Sequence, residues 1–199
     1  MSAEQAKAVL TAAAGDRFEA AYRLMLSLGL RPGECLALSW SDVDLVRHRV
    51  SVRHSLQRDG IIGPPKNESS VRQLPLSSSV VASLNKRREI QEVEHQGAAE
   101  YWQGYGDDLD FSTQVGTPTN DRNLARTFLL LCSKAKVGVW VPYELRHTFA
   151  TLALEAGMPI QKVSKVLGHS DIRETAGTYA HVTPRHLRDV VEAMDAVLA

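Results

Sequence analysis

The chain has 199 residues, of which 44% are hydrophobic and 6% aromatic, and its 23 lysines and arginines balance 23 aspartates and glutamates. This is the composition of a globular protein, and it excludes a disordered chain. The apolar runs are too short to cross a bilayer, and the N-terminus lacks the basic stretch and long apolar run of a signal peptide. Cys35 and Cys132 lie in separate apolar stretches, which favours buried thiols in a reducing cytoplasm over a disulfide.

The charges are unevenly distributed along the chain. Residues 47–72 carry six cations against two acids, whereas residues 86–110 carry three cations against seven acids. Zero net charge gives no support for nucleic-acid binding, but a polarised surface is compatible with one anion-binding face. Solvated faces of helices and loops explain the same pattern.

The N-terminal part of the chain carries helix signals. Ser2 and Gln5 have the spacing of a capping box, and Asp16 begins a second amphipathic segment that Gly29 ends. Pro32 is suited to open a third, short helix. This prediction places Arg31, the residue before Pro32, at the junction between two helices.

The middle of the chain carries strand signals. Val50 and Val52 alternate with polar residues, Asp59-Gly60 is a hairpin turn, and residues 71–76 form a third short strand. Helical patterns then return at residues 77–96, 120–136, 142–156, 160–167 and 184–198. The predicted fold class is mainly α with a small three-stranded antiparallel sheet, or α+β.

Four stretches combine residue types suited to chemistry on a phosphate. They are GLRPGE (29–34) followed by LALSWSDVD (36–44), PKNESSVRQLPL (65–76), ELRHTFAT (144–151), and LGHS (167–170) leading to TYAHV (178–182). In content, order and spacing, they resemble the catalytic domain of the tyrosine recombinases, the phage-integrase family. The resemblance covers nearly the whole chain, and the ordered set is far more specific than any single stretch.

The resemblance assigns a role to five side chains. It makes Tyr179 the nucleophile, Arg31 and Arg146 the phosphate-binding arginines, Lys66 the general acid in a turn between strands, and His169 a further donor to the phosphate. Guanidinium groups suit this chemistry because their planar fork of donors meets two phosphate oxygens at once. A free tyrosine has a pKa of about 10, so cations must favour loss of its proton.

The resemblance also implies a reaction and partners. Members of the family cleave and rejoin double-stranded DNA at specific sites through a 3′-phosphotyrosyl intermediate, without metal, cofactor or ATP. They act as homo-tetramers on paired sites, and we expect a monomer without DNA. The implied fold is that of the tyrosine recombinase and type IB topoisomerase catalytic domains.

One position departs from the family pattern. The family usually has histidine three residues before the second arginine, where this chain has Tyr143. A phenol is a poor base near neutrality, so proton removal from Tyr179 falls to another group, to water or to the phosphate. Tyr143 is also a second candidate nucleophile, but it precedes Arg146 and lacks a following Ala-His-Val, which favours Tyr179.

Two other functions compete with this interpretation. Residues 157–178 have the pattern of a helix-turn-helix, which suggests a DNA-binding regulator without chemistry, although this assigns no role to Arg31, Lys66 or Tyr179. The second competing function is that of a metal hydrolase. Its candidate ligands, which show no helical zinc-site spacing, are His147, His169, His181 and His186.

The two ends of the chain carry further expectations. Complete family members have a helical core-binding domain before the catalytic one, and Met1 lies almost at the start of the catalytic domain. We therefore expect residues 1–199 to be a single catalytic domain without that segment, as a fragment or a truncated member. Apolar residues 187, 190, 191, 194 and 198 predict a terminal helix, which packs on its own core or docks into a neighbouring subunit.

Overall fold

The computed structural model describes residues 1–57, 59–65, 67–104 and 109–179. The helices of this part are α1 (Ala3–Ala12), α2 (Glu19–Leu28), α3 (Pro32–Leu36), α4 (Ser78–Ala98), α5 (Asp121–Lys134), α6 (Pro142–Glu155), α7 (Ile160–Leu167) and α8 (Ile172–Tyr179). Its strands are β1 (Val43–Asp44), β2 (Arg49–Val52), β3 (Ser55–Leu56), β4 (Ile62–Gly63) and β5 (Arg72–Pro75). The predicted fold class, mainly helical with a small antiparallel sheet, is confirmed.

Local capping signals set the helix boundaries. The Ser2 hydroxyl accepts a hydrogen bond from the Gln5 amide at 3.2 Å, and the Gln5 side chain accepts one from the Ser2 amide at 2.9 Å, which completes the predicted capping box. The Asn120 side chain accepts from the Arg122 amide at 2.7 Å and starts α5. The predicted helix at 160–167 has the observed bounds of α7. The predicted terminal helix at 184–198 lies outside the described residues.

The sheet has three antiparallel strands in the order β1-β2-β5. Val50 pairs with Val43 on one side and Leu74 on the other. The predicted assignment of strands to this sheet was partly wrong. The strands beside the Asp59-Gly60 turn form a separate two-stranded ladder, β3-β4, and β1 is the third strand of the sheet. The physical reason is tertiary packing, since β3 lies against α3 and leaves β2 free to pair with β5 directly.

Two groups of buried apolar side chains form the core. The larger group joins α1 to α5 with the sheet, and within it the Tyr22 hydroxyl donates to the Leu124 carbonyl at 3.1 Å. The smaller group lies between α6, α7 and α8 and contains Leu154, Leu167 and Tyr179. Burying an aliphatic side chain of this size contributes about 1.5 to 3 kcal/mol, so the smaller group favours the packing of α8 against α6 and α7.

Two further features of the fold concern the cysteines and the length of the helices. Cys35 and Cys132 are both buried and unbridged, as predicted. Burial raises the pKa of the Cys35 thiol well above its usual range. None of the described helices is long and apolar enough to span a membrane.

Gly29 is required where α2 ends and the chain turns toward α3. Its φ is +62°, a left-handed conformation that glycine adopts without a steric cost. A Cβ at this position would also lie 2.6 Å from Phe149 on α6 and 2.7 Å from Leu167 on α7. The turn therefore brings α2, α6 and α7 together at one point.

We predict that Gly29→Ala lowers the free energy of unfolding by about 2 to 4 kcal/mol, because the left-handed conformation and the steric overlap both cost free energy. Gly15→Ala is the matched control. Gly15 has a φ of +81° with nothing within 4 Å of an added Cβ, so only the conformational cost, about 1 to 2 kcal/mol, applies. Urea unfolding of both variants checks this, and equal losses would show that the contacts of Gly29 do not matter.

Candidate active site

Arg31 stands at the start of α3, where the sequence predicted a helix junction. Its backbone amide donates to Glu34 Oε2 at 2.9 Å, and its Nη1 donates to Glu34 Oε1 at 2.6 Å. Pro32 occupies the first helical position, where its missing amide hydrogen costs nothing. The Arg31 side chain keeps about 30% of its surface exposed, so the guanidinium still faces solvent while one turn of helix orients it.

Glu34 is 1% exposed and is shared with a second arginine. Arg72 on β5 donates to both oxygens of Glu34, at 3.2 and 2.9 Å. Burial alone would raise the pKa of Glu34, but the hydrogen bonds and charge of Arg72, together with those of Arg31, outweigh it and lower that pKa. Glu34 is therefore ionised at neutral pH and holds the two guanidinium groups side by side.

Arg72 also ties this group to the next element of the site. Its Nε donates to the Val166 carbonyl of α7 at 2.7 Å, and its Nη1 donates to the Ser70 carbonyl at 2.8 Å. Gly168, just after α7, has a φ of +68°, and a Cβ there would lie 3.0 Å from Arg72 Nη1. The end of α7 therefore packs tightly against Arg72, and this contact fixes the position of the turn that carries His169.

Arg146 lies on α6 and is 2% exposed. Its Nη1 donates to the Gly29 carbonyl at 2.6 Å, whereas its buried Nη2 has no hydrogen-bond partner within the described residues. Burial, reinforced by the charge of Arg31, lowers the pKa of Arg146 to about 10, so it stays charged at neutral pH. A buried guanidinium with an unused donor next to a second cation favours binding of an anion.

His169 follows the turn after α7. Its Nδ1 lies 2.7 Å from the Thr175 hydroxyl on α8. Burial lowers the pKa of His169, and the charges of Arg146, Arg31 and Arg72 add to the effect, while Glu174 opposes it. The imidazole is therefore neutral at neutral pH, and its Nδ1 is engaged by Thr175.

Tyr179 is 4% exposed, and its hydroxyl lies 2.7 Å from His147 Nδ1 on α6. Burial raises the pKa of the Tyr179 phenol, and Tyr143 adds to the increase, while the charge of Arg146 partly offsets it. Tyr143 itself is 46% exposed and contacts His147 edge to face, with ring centres 5.2 Å apart. Tyr179 and Tyr143 therefore flank the same histidine from different helices.

The structure brings four of the predicted residues to one place. The charge of Arg146 acts on both Tyr179 and His169, and that of Arg31 acts on His169. Lys66, the predicted general acid, lies outside the described residues. Two of the four histidines of the metal-hydrolase alternative, His147 and His169, each form a hydrogen bond with a hydroxyl group. The other two, His181 and His186, lie outside the described residues.

Three side chains that build this site have no role in the motifs of the sequence. Glu34 lies one helical turn after Arg31, which was a usable signal for a local ion pair. Arg72 lies in the same stretch as Lys66, but only the tertiary structure shows that it bonds to Glu34. His147 was considered only as a metal ligand.

Residues 1–186 match the profile described as the Phage integrase family. The chain belongs to this family. Its match to a tyrosine recombinase XerC-like protein of Caldanaerobacter subterraneus subsp. tengcongensis is 31% identical and covers 98% of the chain and 53% of the relative. The match to an integrase of Streptomyces ambofaciens is also 31% identical and covers 98% and 51%. The chain spans about half the length of the curated relatives it matches.

Solved structures share the fold of this phage-integrase chain. The Tn1549 transposon integrase in complex with transposon right end DNA is 26% identical, with a TM-score of 0.78, over 98% of this chain and 65% of that one. The XerA recombinase is 25% identical, with a TM-score of 0.74, over 98% and 64%. The family inferred from the four sequence stretches is confirmed. The matches give no support to the helix-turn-helix regulator.

We predict that Glu34→Gln lowers the free energy of unfolding by about 3 kcal/mol at pH 7, because the buried Arg72 and the partly exposed Arg31 lose their counter-charge. Asp44→Asn, which breaks an exposed pair with Arg47, is the control and should change stability very little. The depressed pKa of Glu34 stabilises the fold above its usual value of 4.5, and this contribution is lost as pH falls below that value. Denaturation at several pH values should therefore show the variant and the parent converging in acid, and a constant difference would contradict the assignment.

Proposed function

We propose that this chain is the catalytic domain of a site-specific tyrosine recombinase that cleaves and rejoins double-stranded DNA. The observation that carries the proposal is the buried Nη2 of Arg146, which has no partner among the described residues, together with the charge that Arg146 exerts on the Tyr179 phenol and that Arg31 exerts on Arg146. Membership of the phage integrase family supports the same function. Residues 1–199 would then make up one catalytic domain.

In this proposal Arg31 and Arg146 bind the phosphate that is attacked. Negative charge builds on the nonbridging oxygens as the phosphorus becomes five-coordinate, and a guanidinium donates to two oxygens at once. At about 4 Å and an effective dielectric near 20, one cation stabilises one negative charge by about 4 kcal/mol. His169, neutral and close to both arginines, supplies a further hydrogen-bond donor without adding a third charge.

Tyr179 is the nucleophile in this mechanism. Its oxygen forms a bond to phosphorus while the bond from phosphorus to the 5′ oxygen breaks, which leaves a 3′-phosphotyrosyl link. The departing oxygen needs a proton, and Lys66 is the proposed donor on the basis of its motif. A 5′-hydroxyl of another strand then attacks the link, so the strands rejoin without ATP.

Tyr143 is the weaker candidate for the nucleophile. Its ring is half exposed at the start of α6 and contacts His147 by an edge, whereas the hydroxyl of Tyr179 makes a hydrogen bond to that histidine. We therefore assign Tyr143 a packing role.

The partners follow from the same proposal. The Tn1549 integrase was solved on transposon-end DNA, and we extend double-stranded DNA binding to this chain. We propose that the protein is a homo-tetramer on paired sites and a monomer without DNA. We also propose a cytoplasmic location, which the buried, unbridged Cys35 and Cys132 support. The apolar residues proposed to join neighbouring subunits lie outside the described part of the chain.

We predict that Tyr179→Phe abolishes a covalent adduct with a nicked suicide duplex, because only the phenol oxygen can form the link. Tyr143→Phe is the matched control and should still form the adduct. Denaturing electrophoresis of labelled duplex measures both. An adduct that persists with Tyr179→Phe and disappears with Tyr143→Phe would transfer the role of nucleophile.

We predict that Arg146→Lys slows cleavage by about 10² to 10³, because an ammonium group cannot bond to the Gly29 carbonyl and donate to two phosphate oxygens in the same plane. Arg173→Lys is the control, because Arg173 is an exposed residue of α8, and this variant should cleave normally. Cleavage by the parent should continue in EDTA. Loss of cleavage in EDTA with recovery on adding a divalent ion would show that the arginines are not sufficient.

A further inference from the structure

We propose that His147 is the catalytic base that takes the proton from Tyr179 during cleavage. The inference rests on the proposed recombinase function and deepens it, because it names a group for a step that the sequence left unassigned. The position that usually holds histidine in this family holds Tyr143 here, and a phenol cannot serve as a base near neutrality. His147 lies one helical turn further along α6, beside Arg146.

The geometry fits direct proton transfer. His147 Nδ1 and the Tyr179 hydroxyl oxygen are 2.7 Å apart, within the range that a general base requires. A phenol that keeps its hydrogen donates it to a ring nitrogen with a free lone pair. This arrangement assigns the remaining ring hydrogen to Nε2 and leaves Nδ1 as the acceptor.

The surroundings keep the proton on the tyrosine before reaction. Burial and the charge of Arg146 lower the pKa of His147, with Glu144 opposing them, so the imidazole is neutral at pH 7. Burial raises the pKa of the Tyr179 phenol. The titratable and charged groups that face His147 are Tyr143, Glu144 and Arg146 on its own helix and Tyr179 on α8.

Binding of DNA would make His147 a stronger base. A phosphate held by Arg146 and Arg31 carries a negative charge that offsets the repulsion between Arg146 and a protonated imidazole. The imidazolium formed by proton transfer is therefore better stabilised with DNA in place than without it. This couples activation of the nucleophile to occupancy of the phosphate site, and it limits side reactions of the free protein.

The step balances in both directions. The Tyr179 oxygen forms its bond to phosphorus, its proton goes to His147 Nδ1, and the 5′ oxygen leaves with its bonding pair and a proton from the general acid. In rejoining, a 5′-hydroxyl attacks phosphorus and gives its proton to the conjugate base of the general acid, while the bond from phosphorus to the tyrosine oxygen breaks and the imidazolium returns its proton to that oxygen. His147 therefore acts as base in cleavage and as acid in rejoining.

The test uses His147→Asn on the full chain. The asparagine oxygen lies near the position of Nδ1 and still accepts a hydrogen bond from Tyr179, but it does not take up a proton at neutral pH. His95→Asn is the matched control, because His95 is an exposed histidine on α4 that contacts Trp102. The probe is a pool of nicked duplexes with a randomised segment, and sequences captured covalently by the parent chain serve as the substrate.

We expect His147→Asn to lower the single-turnover cleavage rate by about 10² or more, with His95→Asn unchanged. In the parent, cleavage should slow in acid as the base becomes protonated, at a pH below the ordinary histidine range because burial and Arg146 lower the pKa of His147, and this dependence should disappear in His147→Asn. A fluorinated tyrosine at position 179, whose phenol ionises more readily, should recover part of the lost rate.

A sulfur atom in place of the leaving 5′ oxygen separates the base from the general acid. A thiolate leaves without protonation, so the loss caused by Lys66→Ala should largely disappear on the sulfur substrate, whereas the loss caused by His147→Asn should remain. If His147→Asn does not fold, His147→Gly with added imidazole replaces it, and imidazole should restore cleavage.

Other outcomes overturn the inference. Cleavage at the parent rate by folded His147→Asn would show that the hydrogen bond only positions the tyrosine. Faster cleavage would show that it restrains Tyr179 in a resting state, and rescue of the histidine variant by the sulfur substrate would make His147 part of the acid step. An adduct that survives Tyr179→Phe would instead contradict the proposed function.

Discussion

The carboxylate of Glu34 is buried between two guanidinium groups, and the arrangement of the site depends on that contact. Arg31 belongs to the same helical turn, while Arg72 comes from the sheet and also bonds to the end of α7. The ionised carboxylate of Glu34 thus connects α3 to β5 and, through Arg72, to the end of α7. Without its charge, the buried Arg72 and the partly exposed Arg31 would repel each other, and the turn that presents His169 would be held less firmly.

The same cluster carries more positive charge than Glu34 balances. The pKa of Arg146 is lowered first by burial and then by the charges of Arg31 and Arg72, which Glu34 only partly offsets. A folded protein tolerates such a cluster at a cost in stability. A bound phosphodiester supplies the missing negative charge, so the site is stabilised by the substrate proposed for it.

Burial also keeps the histidines of the site neutral. His147 and His169 both have a lowered pKa, each because of its surroundings and the charge of Arg146. A neutral ring can both donate and accept a hydrogen bond, whereas an imidazolium can only donate. Donation to a phosphate and acceptance from Tyr179 are therefore both available at neutral pH, which a site built only from cations could not provide.

The sequence alone determined the features that depend on neighbouring residues. Capping at Ser2 and the ends of helices at Gly29 and Gly168 follow from local hydrogen bonds and from the left-handed conformation, so most helix bounds could be predicted. The ordered motifs also indicated Arg31, Arg146, His169 and Tyr179, because residue type and spacing are visible without a fold. Those motifs could not show how the side chains meet.

Tertiary structure alone decided the contacts between distant segments. The strands beside the Asp59-Gly60 turn pack away from the sheet because β3 lies on α3, which no local pattern encodes. Glu34 and Arg72 are 38 positions apart, and His147 and Tyr179 are 32 apart. Such pairs form only when helices and strands dock, since docking fixes the direction of each side chain. The identity of the group that accepts the proton from Tyr179 is therefore a property of how α6 and α8 pack.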